Sequence, residues 1–138
     1  MGIVDASVVV KWFANEKYSD DANRLKKAYV EGLIDLSAPC ILPFEVINAL
    51  KYTYSLGELE LIEISKVIED FQITYYSLYH LLPDLITLSL KYGITIYDAS
   101  YVALGKILNE EVYTADEKLL RKVKDMKFVK HITDFNLP

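Results

Sequence analysis

Short apolar runs alternate with longer stretches of helical periodicity along this chain. Gly2-Ile3-Val4 is uniformly apolar and stops at Asp5, the pattern of a short buried strand. Over residues 7–15 the apolar side chains Val8, Val9, Trp12 and Phe13 fall at helical spacing, so a helix is predicted there. Ser19 or Asp20 can cap a second helix reaching residue 31, with Ala22, Leu25, Ala28 and Tyr29 inward. Residues 33–36 are a short strand candidate. Pro39 and Pro43 bracket the entry to a third helix over 43–56, closed by Gly57; proline fits a first helical turn and glycine the position just past the last. A fourth helix over 58–71 places Leu59, Ile62, Ile64, Val67 and Ile68 inward. Residues 73–78, rich in β-branched and aromatic side chains, read as a strand. Residues 83–92 read as a helix that stops at Gly93.

The stretch ITIYDASYVALG, residues 94–105, sets an aspartate among apolar residues, as GIVDASVVV does near the N-terminus. ITIY could be a strand, but Thr95 and Asp98 have capping-box spacing, which favours a helix over 96–108 beginning at Thr95. A strand over 111–114, a helix over 116–123 and a strand over 128–132 complete the pattern. Strands alternating with helices predict a three-layer α/β domain with a mostly parallel sheet. Right-handed crossovers then place helices on both faces.

In such a sheet the carboxyl ends of the strands and the amino ends of the following helices share one edge, where ligands bind. Asp5 ends the first strand, Glu45 and Asp98 lie in first helical turns, and Asp116 follows the 111–114 strand. Four acids from four segments therefore meet one edge. Each alone has a simpler account, since an acid in a first turn contributes about 0.3–1 kcal/mol to its helix. Together they stand apart from Glu58, Glu60, Glu63, Glu69 and Asp70, which lie along helix faces. Converging carboxylates repel and raise one another's pKa values unless a cation neutralises them. An all-oxygen cluster without His or Cys suits Mg²⁺ or Mn²⁺ better than zinc. Such ions serve phosphoryl chemistry by activating a water and offsetting charge on the phosphate.

Composition narrows the field further. The chain has 138 residues, 52% hydrophobic and 25% charged, enough for one domain with a real core. No apolar run approaches the ~20 residues of a membrane span. The N-terminus has no basic region before Asp5, so no signal peptide and a cytoplasmic location are expected. Cys40 is the single cysteine, which excludes an internal disulfide and a cysteine-based zinc cage, and leaves packing as its expected role. A net charge of −5 argues against gripping nucleic acid with the whole surface. The charge is uneven, however: residues 117–130 carry six basic residues against two acidic ones, a local +4 that leaves −9 elsewhere. That stretch is either a solvated helix face or a phosphate-facing patch. His80 and His131, far in sequence from the acids, read as structural or surface residues. Tyr52, Tyr54, Tyr75, Tyr76 and Tyr79 read mainly as half-buried packing, with some available to an interface.

The ordered set VDASVVVKW, PFEVINAL, TIYDASYVAL and YTADEKLL resembles the PIN-domain family, especially the VapC-type toxins of toxin–antitoxin pairs. The similarity runs essentially end to end, over 1–138. It implies a five-stranded, mostly parallel sheet of order 3-2-1-4-5 and a metal-dependent endoribonuclease that cuts RNA. By match to the family motifs, Asp5, Glu45, Asp98 and Asp116 are the acidic quartet holding one or two Mg²⁺ or Mn²⁺ ions, with Asp5 and Asp98 as direct ligands. Thr114 matches the hydroxyl residue supporting the last acid, Asn48 the polar residue one turn after the glutamate, and Ser7 the residue that often follows the first aspartate. The resemblance also implies a homodimer and a small antitoxin protein whose C-terminal segment lies over the groove. Arg121 and Lys122, close after Asp116, are candidate RNA contacts. Rival readings fit less well. A receiver-like phosphoacceptor needs paired acids after the first strand, and a dehalogenase-type phosphatase needs a second aspartate where Ser7 stands. A non-catalytic PIN-like scaffold that binds only a partner remains as the non-enzyme alternative.

Overall fold

The computed structural model describes residues 2–137. Five strands form one parallel sheet: β1 (Gly2–Val4), β2 (Leu36–Pro39), β3 (Thr74–Tyr76), β4 (Val112–Thr114) and β5 (Val129–His131), in the order β3-β2-β1-β4-β5. This is the order the family resemblance implied. β1 is central, with Ile3 opposite Ser37 of β2 and Val112 of β4. All three of its residues are buried, which is why its sequence is apolar without alternation. Among the described residues, seven α-helices lie on the two faces: α1 (Ala6–Val9), α2 (Ser19–Val30), α3 (Leu42–Tyr54), α4 (Glu58–Asp70), α5 (Leu82–Tyr92), α6 (Ile96–Leu108) and α7 (Glu117–Lys122).

α6 is the core helix, with Ala99 through Gly105 buried without a break. It starts as a capped helix rather than a strand, because the Asp98 amide donates to Thr95 Oγ1 at 2.9 Å. Gly105 lets it lie close to β4. A Cβ there would overlap the Val112 side chain and stand 3.2 Å from both the Glu110 carbonyl oxygen and the Phe128 ring. α5 ends at Gly93 in a left-handed conformation (φ +65°), as its sequence predicts.

Other boundaries differ from the sequence reading for identifiable reasons. The first helix is α-helical only to Val9 and then tightens to a 3-10 turn over Val10–Trp12. Three consecutive valines weaken helix propensity there, and the Trp12 indole N–H is anchored on the Ala22 carbonyl at 2.9 Å. β2 begins at Leu36 because a turn through Gly32 (φ +76°) takes up the residues before it. α3 ends on Ser55 in the left-handed region (φ 52°), while Gly57 is extended and opens α4. α4 departs most: of the residues expected inward, only Ile68 is buried, and Leu59 is 80% exposed. It packs against α3, and β3, at the edge of the sheet, has Thr74 and Tyr76 exposed.

Candidate active site

The carboxyl edge of the sheet gathers the acids that the sequence singled out. Asp5 leaves β1 in an extended conformation and is only 5% exposed. Its Oδ2 accepts from Ser7 Oγ at 2.6 Å and from Thr114 Oγ1 at 2.8 Å. These hydroxyls also knit β1 to the chain beyond β4: the Ala115 amide donates to Ser7 Oγ at 2.9 Å and the Asp116 amide to Thr114 Oγ1 at 3.0 Å. Fully buried Thr114 thus braces the first and last acids at once. Asp116 is the N-cap of α7, with Oδ1 accepting from the Leu119 amide at 3.0 Å. Glu45 and Asp98, both half-buried, sit in the first turns of α3 and α6.

The four acids feel one another. Burial first, then the Asp5 and Asp116 charges, raise Asp98 to about 6, against lesser pulls from Thr95 and Lys122. Burial first, then Asp5 and Asp98, raise Glu45 to about 7, and a hydrogen bond from Tyr101 opposes them. Burial lifts Asp5 above the ordinary carboxylate value, opposed by its two hydroxyl partners and reinforced by Asp116. Among the described residues, no three His, Cys, Asp or Glu side chains are drawn together tightly enough to cage an ion. The arrangement is an open, carboxylate-lined edge. It fits Mg²⁺ or Mn²⁺ by donor chemistry, since such ions take oxygen ligands, keep several waters and bind through a few carboxylates plus substrate oxygens. It also fits by charge, since a cation relieves the repulsion that raises these pKa values.

Two grooves flank the edge. One, of about 430 Å³, is lined by Gly93, Thr95, Asp98, Asp116, Lys118 and Lys122 among others. The second, of about 440 Å³, is lined by Ile41, Phe44, Glu45, Asn48 and Tyr97. Lys122 Nζ donates to the Gly93 carbonyl at 2.8 Å across the first groove. Arg121 is exposed and does not line that groove, whereas Lys118 does. His80 is exposed, and His131 packs edge-on against the Tyr18 ring. Cys40 is exposed rather than packed, and so are Tyr52, Tyr54, Tyr76 and Tyr79.

The PIN-domain family model matches residues 2–125 of this chain. The chain belongs to the PIN-domain family. This PIN chain is 32% identical over 126 residues to Ribonuclease VapC3 of Pyrobaculum aerophilum, covering 87% of this chain and 92% of that protein. Its type within the PIN family is therefore VapC. The crystal structure of PAE2754 from Pyrobaculum aerophilum shares the PIN chain's fold, with a TM-score of 0.69 and 21% identity over 96% of this chain and 90% of that one.

Sequence reasoning missed one residue of this PIN-domain edge. Tyr101, fully buried on α6 one turn after Asp98, donates its hydroxyl to Glu45 Oε1 at 2.7 Å. A signal was present: a tyrosine inside an otherwise apolar helix needs a partner for its hydroxyl.

Proposed function

We propose that this chain is a metal-dependent endoribonuclease of one nuclease domain, hydrolysing RNA phosphodiester bonds as the toxin of a VapBC-type pair. The observation that carries the reading is the convergence of four acids from four segments on one edge, with Asp98 and Glu45 raised to about 6 and 7 by burial and mutual repulsion. Asp5, Glu45, Asp98 and Asp116 would hold one or two Mg²⁺ or Mn²⁺ ions. A bound ion would neutralise the attacked phosphate and lower the pKa of the attacking water.

The chain's own residues prepare that chemistry. Ser7 and Thr114 hold the Asp5 carboxylate in one orientation, so little reorganisation is needed when charge arrives. Tyr101 fixes one oxygen of Glu45 and leaves the other free to turn toward the edge. Asn48, in the same groove as Glu45, offers an amide to the substrate. Lys118 and Lys122, in the groove with Asp98 and Asp116, are placed to take flanking phosphates, and Arg121 can reach them from outside.

The name of the curated relative, Ribonuclease VapC3, supports RNA as substrate, and the resemblance to the VapC-type toxins of toxin–antitoxin pairs implies a small antitoxin as partner. Exposed apolar side chains on α4, α5 and the turn after β3, among them Leu59, Leu90 and Tyr79, support a homodimer. A cytoplasmic location accords with the described helices, none of which is long and apolar enough to cross a membrane.

The test is cleavage of a fluorophore–quencher RNA with Mg²⁺ or Mn²⁺, beside an EDTA control and an identically purified Asp98→Asn variant. Cleavage lost in both controls is the expected result. Equal cleavage by wild type and variant would end this reading, because the activity would not depend on the quartet.

A further inference from the structure

Two aromatic rings beside the carboxylates are accounted for by neither the core nor the acidic quartet. Phe44, which precedes Glu45, is 72% exposed, and Tyr97, which precedes Asp98, is 57% exposed. Neither belongs to the hydrophobic core or to the residues packed on it. Both sit in first helical turns, on α3 and α6, next to an acid directed at the sheet edge. Both line the groove of about 440 Å³ that also contains Ile41, Glu45 and Asn48.

We propose that Phe44 and Tyr97 form a base-stacking subsite for a nucleobase near the scissile phosphate of unpaired RNA. The proposal rests on the ribonuclease reading above and names its substrate class. Bases in a duplex are stacked on one another, whereas those of a single strand can turn out onto a protein ring. Position argues for RNA over a protein occupant. The groove holding the rings also holds Glu45, which faces the substrate during turnover, so a strand whose phosphate meets the acids carries its neighbouring base into this groove.

Charge points the same way. The chain has a net charge of −5, Lys118 and Lys122 line the other groove, and none of the residues lining this one is basic. Aromatic faces hold any base without a cationic side chain, which suits the acidic side of the site. Asn48 adds a donor and an acceptor within the same groove, able to meet a base edge.

The experiment is binding of a short fluorescein-labelled unpaired RNA of mixed sequence, read by anisotropy. Ca²⁺ serves as the bridging ion, because it takes the same oxygen ligands, and the RNA is checked for intactness afterwards. A backbone-only abasic oligonucleotide serves as the companion probe. Phe44→Leu and Tyr97→Leu keep an apolar side chain but remove the π-face, and Phe44→Trp restores one. Each Leu variant is expected to weaken binding of the base-bearing RNA on the order of tenfold, to leave the abasic probe unchanged, and Phe44→Trp to bind as wild type does.

Leu variants that bind the base-bearing RNA as tightly as wild type would overturn the subsite, assign the rings to a protein surface and leave the nuclease reading standing. Equal losses for both probes would overturn it as well, because the rings would then act on the backbone or on the fold. A wild-type protein that binds neither probe would end the ribonuclease reading and the subsite with it.

Discussion

At the scale of single residues, the edge works by fixing carboxylates that would otherwise repel. Glu45 is raised to about 7, burial being the largest cause and the Tyr101 hydroxyl the main opposing influence. That hydroxyl donates at 2.7 Å from a fully buried ring, so it cannot follow Glu45 elsewhere. Tyr101→Phe removes the donor while keeping the ring. Glu45 then loses a bond that favours its charged form, and its pKa rises further. Manganese affinity measured by calorimetry should fall by about tenfold, the lower end of what removing a partner of a metal-ligating group costs. An unchanged affinity would reduce Tyr101 to packing. Asp5 is fixed differently, by two hydroxyls on one oxygen. Ser7 was legible because it follows the aspartate in sequence. Thr114 was legible through its motif, although its reach across to Asp5 needed the sheet to be formed.

At the scale of elements, α6 lies close against β4, and Gly105 permits it. Alanine normally stabilises a helix interior relative to glycine by roughly 0.5–1 kcal/mol. Here its methyl would meet Val112, the Glu110 carbonyl and Phe128. Overpacking typically costs about 1–3 kcal/mol and so outweighs the gain. Gly105→Ala should therefore lower the denaturant midpoint at unchanged slope; a raised midpoint would mean that β4 yields easily. The helix starts that carry the site were readable from sequence, because caps and prolines act within one turn: Thr95 opens α6 and Pro43 sits in the first turn of α3. Ends were less readable. Gly57 looked like a helix stop but serves as the next helix's cap, since Ser55 takes the left-handed position. The α4 stripe could not be read correctly, because apolar periodicity says which side is greasy and not whether anything covers it. The strand order separates this sheet from the 2-1-3-4-5 arrangement of receiver-like folds.

At the scale of the whole molecule, the charge distribution divides the edge. The local excess of lysine and arginine begins beside Asp116, and two of its members, Lys118 and Lys122, line the groove with Asp98. Removing Lys118 or Lys122 should weaken RNA binding about uniformly across sequences and reduce the salt slope by about 1 each. Arg121→Ala should have the smaller effect, because its side chain lies outside the groove lining. Equal slopes for all variants would confine phosphate recognition to the acids' own cations.

The same charges link stability to metal. In the metal-free protein Asp98 and Glu45 are raised from ordinary values of 3.8 and 4.5 to about 6 and about 7. Both bind a proton more tightly folded than unfolded. Their contribution is therefore fully present below the ordinary carboxylate range and lost as pH rises through 6 and 7. Because both are half-buried, the loss after solvent screening is on the order of 1–2 kcal/mol, a shift of several degrees in Tm. A divalent cation reverses the preference by favouring the charged forms, so its stabilisation should grow with pH over the same window. Thermal melts in EDTA should thus show Tm falling as this window is crossed, with Mn²⁺ recovering more of it at the alkaline end. Asp98→Asn should flatten both trends by removing one of the two titrating groups. A metal-free Tm that rises through the window, or equal Mn²⁺ stabilisation at both ends, would show that these carboxylates do not converge on a common cation.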